Sequence, residues 1–335
     1  MNLPLSDKLT PWHSDDLLAG LRAIGEPTRL RIFALCYRAD LSVTDLTELL
    51  SQSQPRISRH LKVMCEAGIL ERMREGTFAF YRVAGDSIGS VLAHQIMPLM
   101  EFSAVDERAL NQLREKRHKL AAPLEAENAE QLRKLRAYYP SEKLIDQALI
   151  TALPQDKVQS LLDIGTGTGH MLALFGPRVT HAVGIDLSRD MLSLARANLM
   201  LSDLQNCRVQ QADMYHLPLE SETFDAVTVH HVLHYAERPE SVIAEAARVL
   251  RPGGRLVVVD FMPHQLQKLG RDFGHRAMGF DPAEISDWCI NNGLSPEPPT
   301  IISEPNKELS VLILSATQKS GQKSNKLSKQ KKTAA

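Results

Sequence analysis

Apolar positions early in the chain recur every three or four residues. Leu17, Leu18, Leu21 and Ile24 predict a helix that Gly25 ends, and Pro27 opens a second with a buried stripe of Leu30, Ile32, Phe33 and Leu35. Ser42 followed by Asp45 resembles a capping box with a shorter acid, ahead of Leu46, Leu49 and Leu50. After a polar turn at Ser51–Gln52, Ser53 can cap a fourth helix that tolerates Pro55 in its first turn and turns Ile57, Leu61 and Met64 inward. Gly68 ends it, and Ile69–Arg74 with Phe78–Val83 then read as a hairpin around Glu75, Gly76 and Thr77. Ile88, Val91, Leu92, Ile96 and Leu99 form a further helical stripe. From Asp106 to Arg136 charge dominates, and Leu110, Leu113, Leu120, Leu124, Leu132 and Leu135 are too sparse for a core, which predicts spacer helices.

Beyond residue 141 the pattern changes to short apolar runs alternating with helices, as in an open α/β sheet. Strands are expected at Val158–Ile164, His181–Ile185, Cys207–Gln211 and from Phe224, then after the turn Leu250–Leu256, and around Ile301 and Val311, with a helix from Asp281-Pro282 to Ile290. The expected divisions are 1–103, 104–140, 141–317 and a lysine-rich tail at 318–335 with six lysines, no acid and almost nothing to bury, read as disordered.

Composition narrows the function. Hydrophobic residues make up 43% and charged residues 24%, and 39 basic side chains face 40 acidic ones, which excludes a chain that coats nucleic acid wholesale but not a local basic patch. Four cysteines without a C-x-x-C pair argue against a disulfide scaffold or thiolate zinc site. No apolar run approaches the roughly 18 residues of a membrane helix, so a soluble, cytoplasmic protein with no membrane partner is expected.

Such a patch lies between Gln52 and Val83, with six Lys/Arg (Arg56, Arg59, Lys62, Arg72, Arg74, Arg82) against three acids. The outward face of the fourth helix carries Ser53, Gln54, Arg56, Ser58, Arg59 and His60, types that suit base edges and phosphates in a major groove, and Arg72 and Arg74 stand near the hairpin tip. Residues 17–83, with L-x-x-I-G-E-P-T-R-L-R-I, S-Q-P-R-I-S-R-H-L-K and E-A-G-I-L-E-R-x-R-E-G, resemble an ArsR-type winged helix-turn-helix, an α+β fold. The resemblance implies a homodimer on double-stranded operator DNA, with the stripe from Ile88 to Leu99 placed to pair with its twin. Metal-sensing members carry L-C-x-C-D-L; this chain has Leu41-Ser42-Val43-Thr44-Asp45-Leu46, and His94 stands alone on the dimer helix, so metal sensing of that kind is not expected.

The strand ending at Asp163 runs into Ile164-Gly165-Thr166-Gly167-Thr168-Gly169-His170, a turn where backbone closely approaches a ligand. The G-x-G-x-G spacing, with an acid two residues before it, differs from the dinucleotide G-x-G-x-x-G and argues against a nicotinamide dehydrogenase. Asp186, ending the next strand, could hold both ribose hydroxyls, and Asp213, after the third, could accept from an adenine amine while backbone beside Met214 fixes the ring edge. Over about 141–316 these features resemble a class I S-adenosylmethionine-dependent methyltransferase, a Rossmann-like domain with a mostly parallel seven-stranded sheet. The resemblance implies S-adenosyl-L-methionine as cofactor, with Asp163, Gly165, Thr166, Gly167 and Gly169 on its methionyl part, Asp186 and Leu187 at the ribose, Asp213 and Met214 at the adenine, and His230 nearby.

A sulfonium already carries an activated methyl, so transfer needs a positioned nucleophile and exclusion of water, and a base only for some acceptors. His230, His231 and His234, after the fourth strand, are the catalytic candidates, the bland alternative being histidines that cap the sheet edge. His264 and His275 lie eleven residues apart, roughly 16 Å along one helix, so one helix cannot bring both to a metal and no metal site is expected. His264, Arg271, His275 and Arg276 could instead form a lid over an acidic substrate. His230-His231-Val232-Leu233 stands where a nucleobase methyltransferase would often carry Asn/Asp-Pro-Pro-aromatic, so a small-molecule acceptor is favoured. The expected function is an ArsR-like regulator, not metal-sensing, whose methyltransferase domain methylates a small molecule. The alternative is a repressor that senses the cofactor or its demethylated product without transferring methyl.

Overall fold

The computed structural model describes residues 13–76, 78–85, 87–153 and 158–319. The lysine-rich stretch from 320, Thr77 of the hairpin tip and the His94 side chain fall outside them. The chain divides into two compact units, one ending at Pro123 and taking in Arg196–Gln211, the other made of Leu124–Ala195 and the residues from Ala212 onward.

The first unit opens with α1 (Ser14–Ile24), α2 (Pro27–Arg38), β1 (Leu41–Ser42), α3 (Val43–Leu50), α4 (Gln54–Glu66), β2 (Leu70–Glu75) and β3 (Phe78–Val83). It continues through α5 (Ile88–Ile96), a 3-10 turn at Met97–Leu99, and α6 (Ala104–Arg136). Both halves of the capping box before α3 form: Ser42 Oγ accepts from Asp45 N at 3.1 Å, and the Ser42 amide donates to Asp45 Oδ2 at 2.8 Å. Ser51 holds the turn between α3 and α4 in the left-handed region (φ 52°). Ser53 is the N-cap residue of α4, yet its side chain makes no capping bond, contrary to expectation; its carbonyl receives the Arg56 and Ile57 amides instead. Ile57, Leu61 and Met64 are buried as predicted, each contributing about 2 kcal/mol of apolar burial. β2 and β3 pair antiparallel from Leu70↔Val83 to Glu75↔Phe78, and the two-residue β1, which the sequence pattern did not reveal, adds to β3.

Two expectations change. The stripe of α5 is only partly free for a twin: Ile88 and Leu92 are buried in the unit's own core with Ile57, Leu61 and Ile69, Val91 and Ile96 are half-buried, and Leu99 is 84% exposed. Apolar spacing marks a face to be covered without saying by what. The exposed apolar face is on α1, where Leu17, Leu18 and Leu21 are 42%, 46% and 42% exposed and the buried positions are Gly20, Ala23 and Ile24. The charged spacer is one 33-residue helix with Pro123 inside it. Its start is bound to α2 by Arg31, which reaches Asp106 at 2.5 and 3.1 Å.

The second fold carries α7 (Glu142–Ala152), β4 (Ser160–Ile164), α8 (His170–Phe175), β5 (His181–Asp186), α9 (Arg189–Leu201), β6 (Cys207–Gln211), β7 (Phe224–His230) and α10 (Pro239–Val249). It ends with β8 (Leu250–Phe261), α11 (Gln267–Phe273), α12 (Pro282–Asn291), β9 (Leu294–Pro296), β10 (Thr300–Ile302) and β11 (Val311–Gln318). The sheet runs β10-β11-β8-β7-β4-β5-β6, the seven strands expected, with β9 an eighth that also pairs β11. β4–β5, β4–β7 and β7–β8 are parallel, whereas β11 is antiparallel to β8. This is a Rossmann-like arrangement, with strands such as β4 buried throughout and therefore apolar on both faces. The carboxyl ends of β4, β5, β6, β7 and β8 bring together the loops on which the candidate chemistry lies.

Candidate functional site

In the first unit, α4 presents Ser53, Gln54, Arg56, Ser58 and Arg59 to solvent, opposite its buried face. His60 departs from expectation: it is half-buried, its Nδ1 lies 3.7 Å from Glu26 Oε2, and burial lowers its pKa. At helical spacing it falls between the outer and inner faces, and the α2 cap claims it. On β2 the alternation exposes Arg72 and Arg74 together and buries Met73 and Glu75. Arg82 is instead buried in an ion pair with Glu71, which removes one charge of each sign and leaves the local positive excess unchanged.

In the second, three glycines follow β4 at positive φ: Gly165 (73°), Gly167 (51°) and Gly169 (85°). A Cβ at Gly165 would also overlap the Val232 side chain, so no other residue fits. The Thr166 amide donates to the Ile185 carbonyl at 2.8 Å, tying the turn to β5. Asp186 spans the two loops, its Oδ2 accepting from Gly167 N at 2.9 Å and its Oδ1 from Ser188 N at 2.8 Å. Its carbonyl takes the Ala212 amide at 3.1 Å, which brings Asp213 alongside. Asp213 is exposed with Oδ1 accepting from Tyr215 N at 2.9 Å, Met214 is half-buried, and Leu187 is exposed. Asp163 is 1% exposed and accepts from Thr228 Oγ1 at 2.7 Å; burial outweighs that hydrogen bond and pushes its carboxyl up to about 6.

His230 is the last residue of β7, and its ring lies 5.9 Å from that of His170, which opens α8 directly after Gly169. His231 follows in the left-handed region (φ 54°), its amide bound to the Val259 carbonyl at 2.8 Å. A 3-10 turn at Leu233–Tyr235 then sets His234 at 1% exposure, with Nδ1 2.8 Å from Asp260 Oδ1. The three rings form a chain, His230–His231 at 4.6 Å and His231–His234 at 6.3 Å between centroids, walled by Phe261 and Tyr139. Desolvation lowers the pKa of His230 well below the ordinary value and that of His231 to about 4, so both rings are neutral.

The proposed lid does not assemble. α11 is short and ends at Gly274 in the left-handed region, so His264 and His275 flank it rather than share its face. The segment folds back, the Arg276 amide donating to the His234 carbonyl at 2.8 Å and the His264 amide to the Met278 carbonyl at 2.9 Å. His275 is thereby buried against the His234 ring at 4.1 Å, while exposed Arg276 pairs with Glu237 at 2.5 Å and Arg271 stays in solvent. Sequence reasoning missed Asp260 as a partner. The available signal was an acid in the apolar run Leu256–Phe261, which must find a partner once buried.

A methyltransferase-domain family matches residues 162–258, and the arsR family of bacterial regulatory proteins matches residues 26–72. An arsR-family helix-turn-helix region thus precedes a methyltransferase domain in the chain. Its relatives include methyltransferase YcgJ of Bacillus subtilis, 28% identical over 39% of this chain and 52% of that one. Demethylmenaquinone methyltransferase of Thermobifida fusca is 31% identical over 40% of this chain and 56% of its own, and arsenite methyltransferase of Halobacterium salinarum 32% over 30% and 27%. The chain spans about half the length, or less, of these curated relatives. The crystal structure of YcgJ aligns at a TM-score of 0.46 and 19% identity, covering 52% of this chain and 98% of that one. Among the described residues no helix is long and apolar enough to cross a membrane.

Proposed function

We propose that the protein is a cytoplasmic transcriptional regulator that binds double-stranded operator DNA as a homodimer, and that its methyltransferase domain uses S-adenosyl-L-methionine to methylate a small molecule. The enzymatic half rests above all on the glycine turn, whose Gly167 amide is bound to the same Asp186 carboxylate that would receive the ribose hydroxyls. In this reading ionised Asp163 holds the α-ammonium and the backbone of Gly165–Gly169 accommodates the methionyl chain. Leu187 lines the ribose side, and Asp213 with Met214 takes the adenine edge. Val232 lies against Gly165, and in this reading His230, His231 and His234 stand on the side from which the methyl would leave. A water-poor wall there favours transfer over hydrolysis.

The regulatory half rests on the exposed Gln54, Arg56, Ser58 and Arg59, with Arg72 and Arg74 on the wing as phosphate contacts. The leucines on α1 supply an uncovered apolar face for a twin. Ser42 and Thr44 in place of thiolates speak against soft-metal sensing by this unit.

The alternative, a repressor that senses the cofactor or its demethylated product without transfer, is favoured by one observation. Tyr139 and Phe261 crowd His231 at 5.3 and 4.7 Å, where an acceptor would sit. Fluorescence anisotropy with DNA from the protein's own upstream region, without ligand, with S-adenosylmethionine and with the demethylated product, tests both readings. A tenfold shift with either ligand means a coupling of at least about 1.4 kcal/mol, and DNA must then alter cofactor affinity reciprocally. Tight DNA binding indifferent to both ligands defeats the sensor, and absence of operator binding defeats the regulator. Calorimetry that detects no cofactor binding defeats the enzyme.

A further inference from the structure

The chamber next to the glycine turn holds more nitrogen than its hydrogen bonds use. His231 Nδ1 and Nε2, His234 Nε2, His264 Nε2 and both nitrogens of His275 are buried without a partner. A neutral imidazole carries one N–H and one lone pair, and each left unsatisfied in the interior costs about 1–3 kcal/mol. His234 and His275 are almost wholly buried, so this demand is not met by bulk solvent. A polar ligand held among these rings would meet part of that demand.

We propose that His231, His234 and Asp260 form a binding site for a divalent transition-metal ion of the zinc class. One donor atom from each lies within 4.8 Å of those of the other two. Two imidazoles and a carboxylate are the donor set of many catalytic zinc sites and of facial-triad iron sites, and both leave positions open for water or substrate. His234 Nδ1 and Asp260 Oδ1, hydrogen-bonded at 2.8 Å, would lose the shared proton and part to about 3.4 Å around a tetrahedral ion with bonds of about 2.1 Å. Asp260 Oδ2 has only the 3.3 Å contact from the His234 amide and retains capacity for an ion.

Other features of the chamber fit a ligand role. His231 stands in a strained left-handed conformation, of a kind that persists where the surroundings over-determine it. His264 is outside the set because its Nδ1 accepts from the Leu266 amide at 3.2 Å, leaving an N–H at Nε2. His275, stacked on His234, forms part of the wall. The expectation of no metal rested on His264 and His275 sharing one helix, whereas this site uses neither and is assembled from the ends of β7 and β8. The inference does not depend on methyl transfer. Were transfer to occur, the ion would give an oxygen acceptor a Lewis acid beside the cofactor.

The test uses the full chain stripped with chelator, first titrated with Zn2+ by calorimetry and then with Co2+ by optical absorption, in the absence of cofactor. The expected result is one equivalent of ion per chain and visible ligand-field bands, without the near-ultraviolet band of thiolate ligation. His231→Asn and Asp260→Asn should each weaken binding at least tenfold, while His13→Ala, at an exposed position of the other unit, leaves it unchanged. No saturable binding overturns the proposal. Binding that ignores both substitutions means an adventitious ion only and overturns it equally. Should the variants fail to fold, X-ray absorption of the zinc-loaded wild-type protein decides: a nitrogen and oxygen shell with imidazole scattering supports the site, and sulfur in the shell overturns it.

Discussion

Asp186 and Asp163 are both carboxylates at the mouth of the sheet, and their surroundings give them opposite behaviour. Asp186 is half-exposed and already accepts two amides, and in the proposed reading it also receives the ribose hydroxyls. Asp186→Ala should weaken S-adenosylmethionine binding at least tenfold, about 1.4 kcal/mol, in a calorimetric titration. Its melting temperature should change little beyond what two lost loop bonds account for. Asp163 is buried and has its pKa raised from 3.8 to about 6. The folded state therefore favours the protonated form, an advantage that is complete below the unfolded pKa and lost as pH rises through about 6. At pH 8 the ionised group costs the ligand-free fold about 3 kcal/mol. Asp163→Asn should accordingly raise the melting temperature of the ligand-free protein at pH 8 and leave it nearly unchanged at pH 4. In the proposed reading cofactor binding has the reverse preference, because an ammonium held by Asp163 needs the carboxylate. Wild-type affinity measured by calorimetry should fall between pH 7.5 and pH 5, and a flat profile would remove Asp163 from the ammonium contact.

At the scale of single elements, α3 and α4 are capped by two serines in different ways. Ser42 closes a two-way box and Ser53 bonds nothing with its side chain. Ser42→Ala should cost about 1 kcal/mol in a denaturant titration and Ser53→Ala only a few tenths. If Ser53 instead meets phosphate, its loss will register in DNA affinity. On α4, replacing Arg56 and Arg59 together by Ala should abolish operator binding in a gel-shift assay while cofactor affinity stays constant; retained operator affinity would defeat the recognition-helix assignment. These helices were legible in the sequence because their evidence is local: a cap, a periodic inward face and a stop. The strands β4, β5 and β6 were legible for the same reason, each with an acid within two residues of its end. Destinations that depend on distant residues were not legible. Whether Ile88 and Leu92 meet a twin or their own core is decided by Ile69 and Ile57, and whether His60 faces out or in is decided by Glu26. The return after α11 that lays His275 on His234 needs Gly274 to end the helix early. No periodicity before it announces that.

For the whole molecule, the proposed homodimer would be held by the exposed α1 leucines. Leu17→Glu with Leu21→Glu adds charge where side chains are already exposed, so the fold should survive. Sedimentation velocity should show a monomer, and operator affinity should drop at least tenfold because two half-sites are no longer read together. A dimer that persists would place the twin elsewhere. Sequence alone recovered the order of the two folds and the position of the glycine turn after β4, since those follow from motifs and strand spacing. The partner of Asp260 and the crowded chamber behind His231 emerged only when β7 and β8 were set side by side.

Gly165 and Val232 share one volume: the space that a side chain at 165 would need is filled by the isopropyl group at 232. The turn and the histidine loop therefore mesh like cog and tooth, and neither can be displaced alone. A cofactor that spreads the turn must also drive Val232, and with it His231 and Leu233 on either side. In the proposed reading, steric exclusion at one glycine would thus carry occupancy of the cofactor turn into the neighbouring histidine loop, without a dedicated hinge.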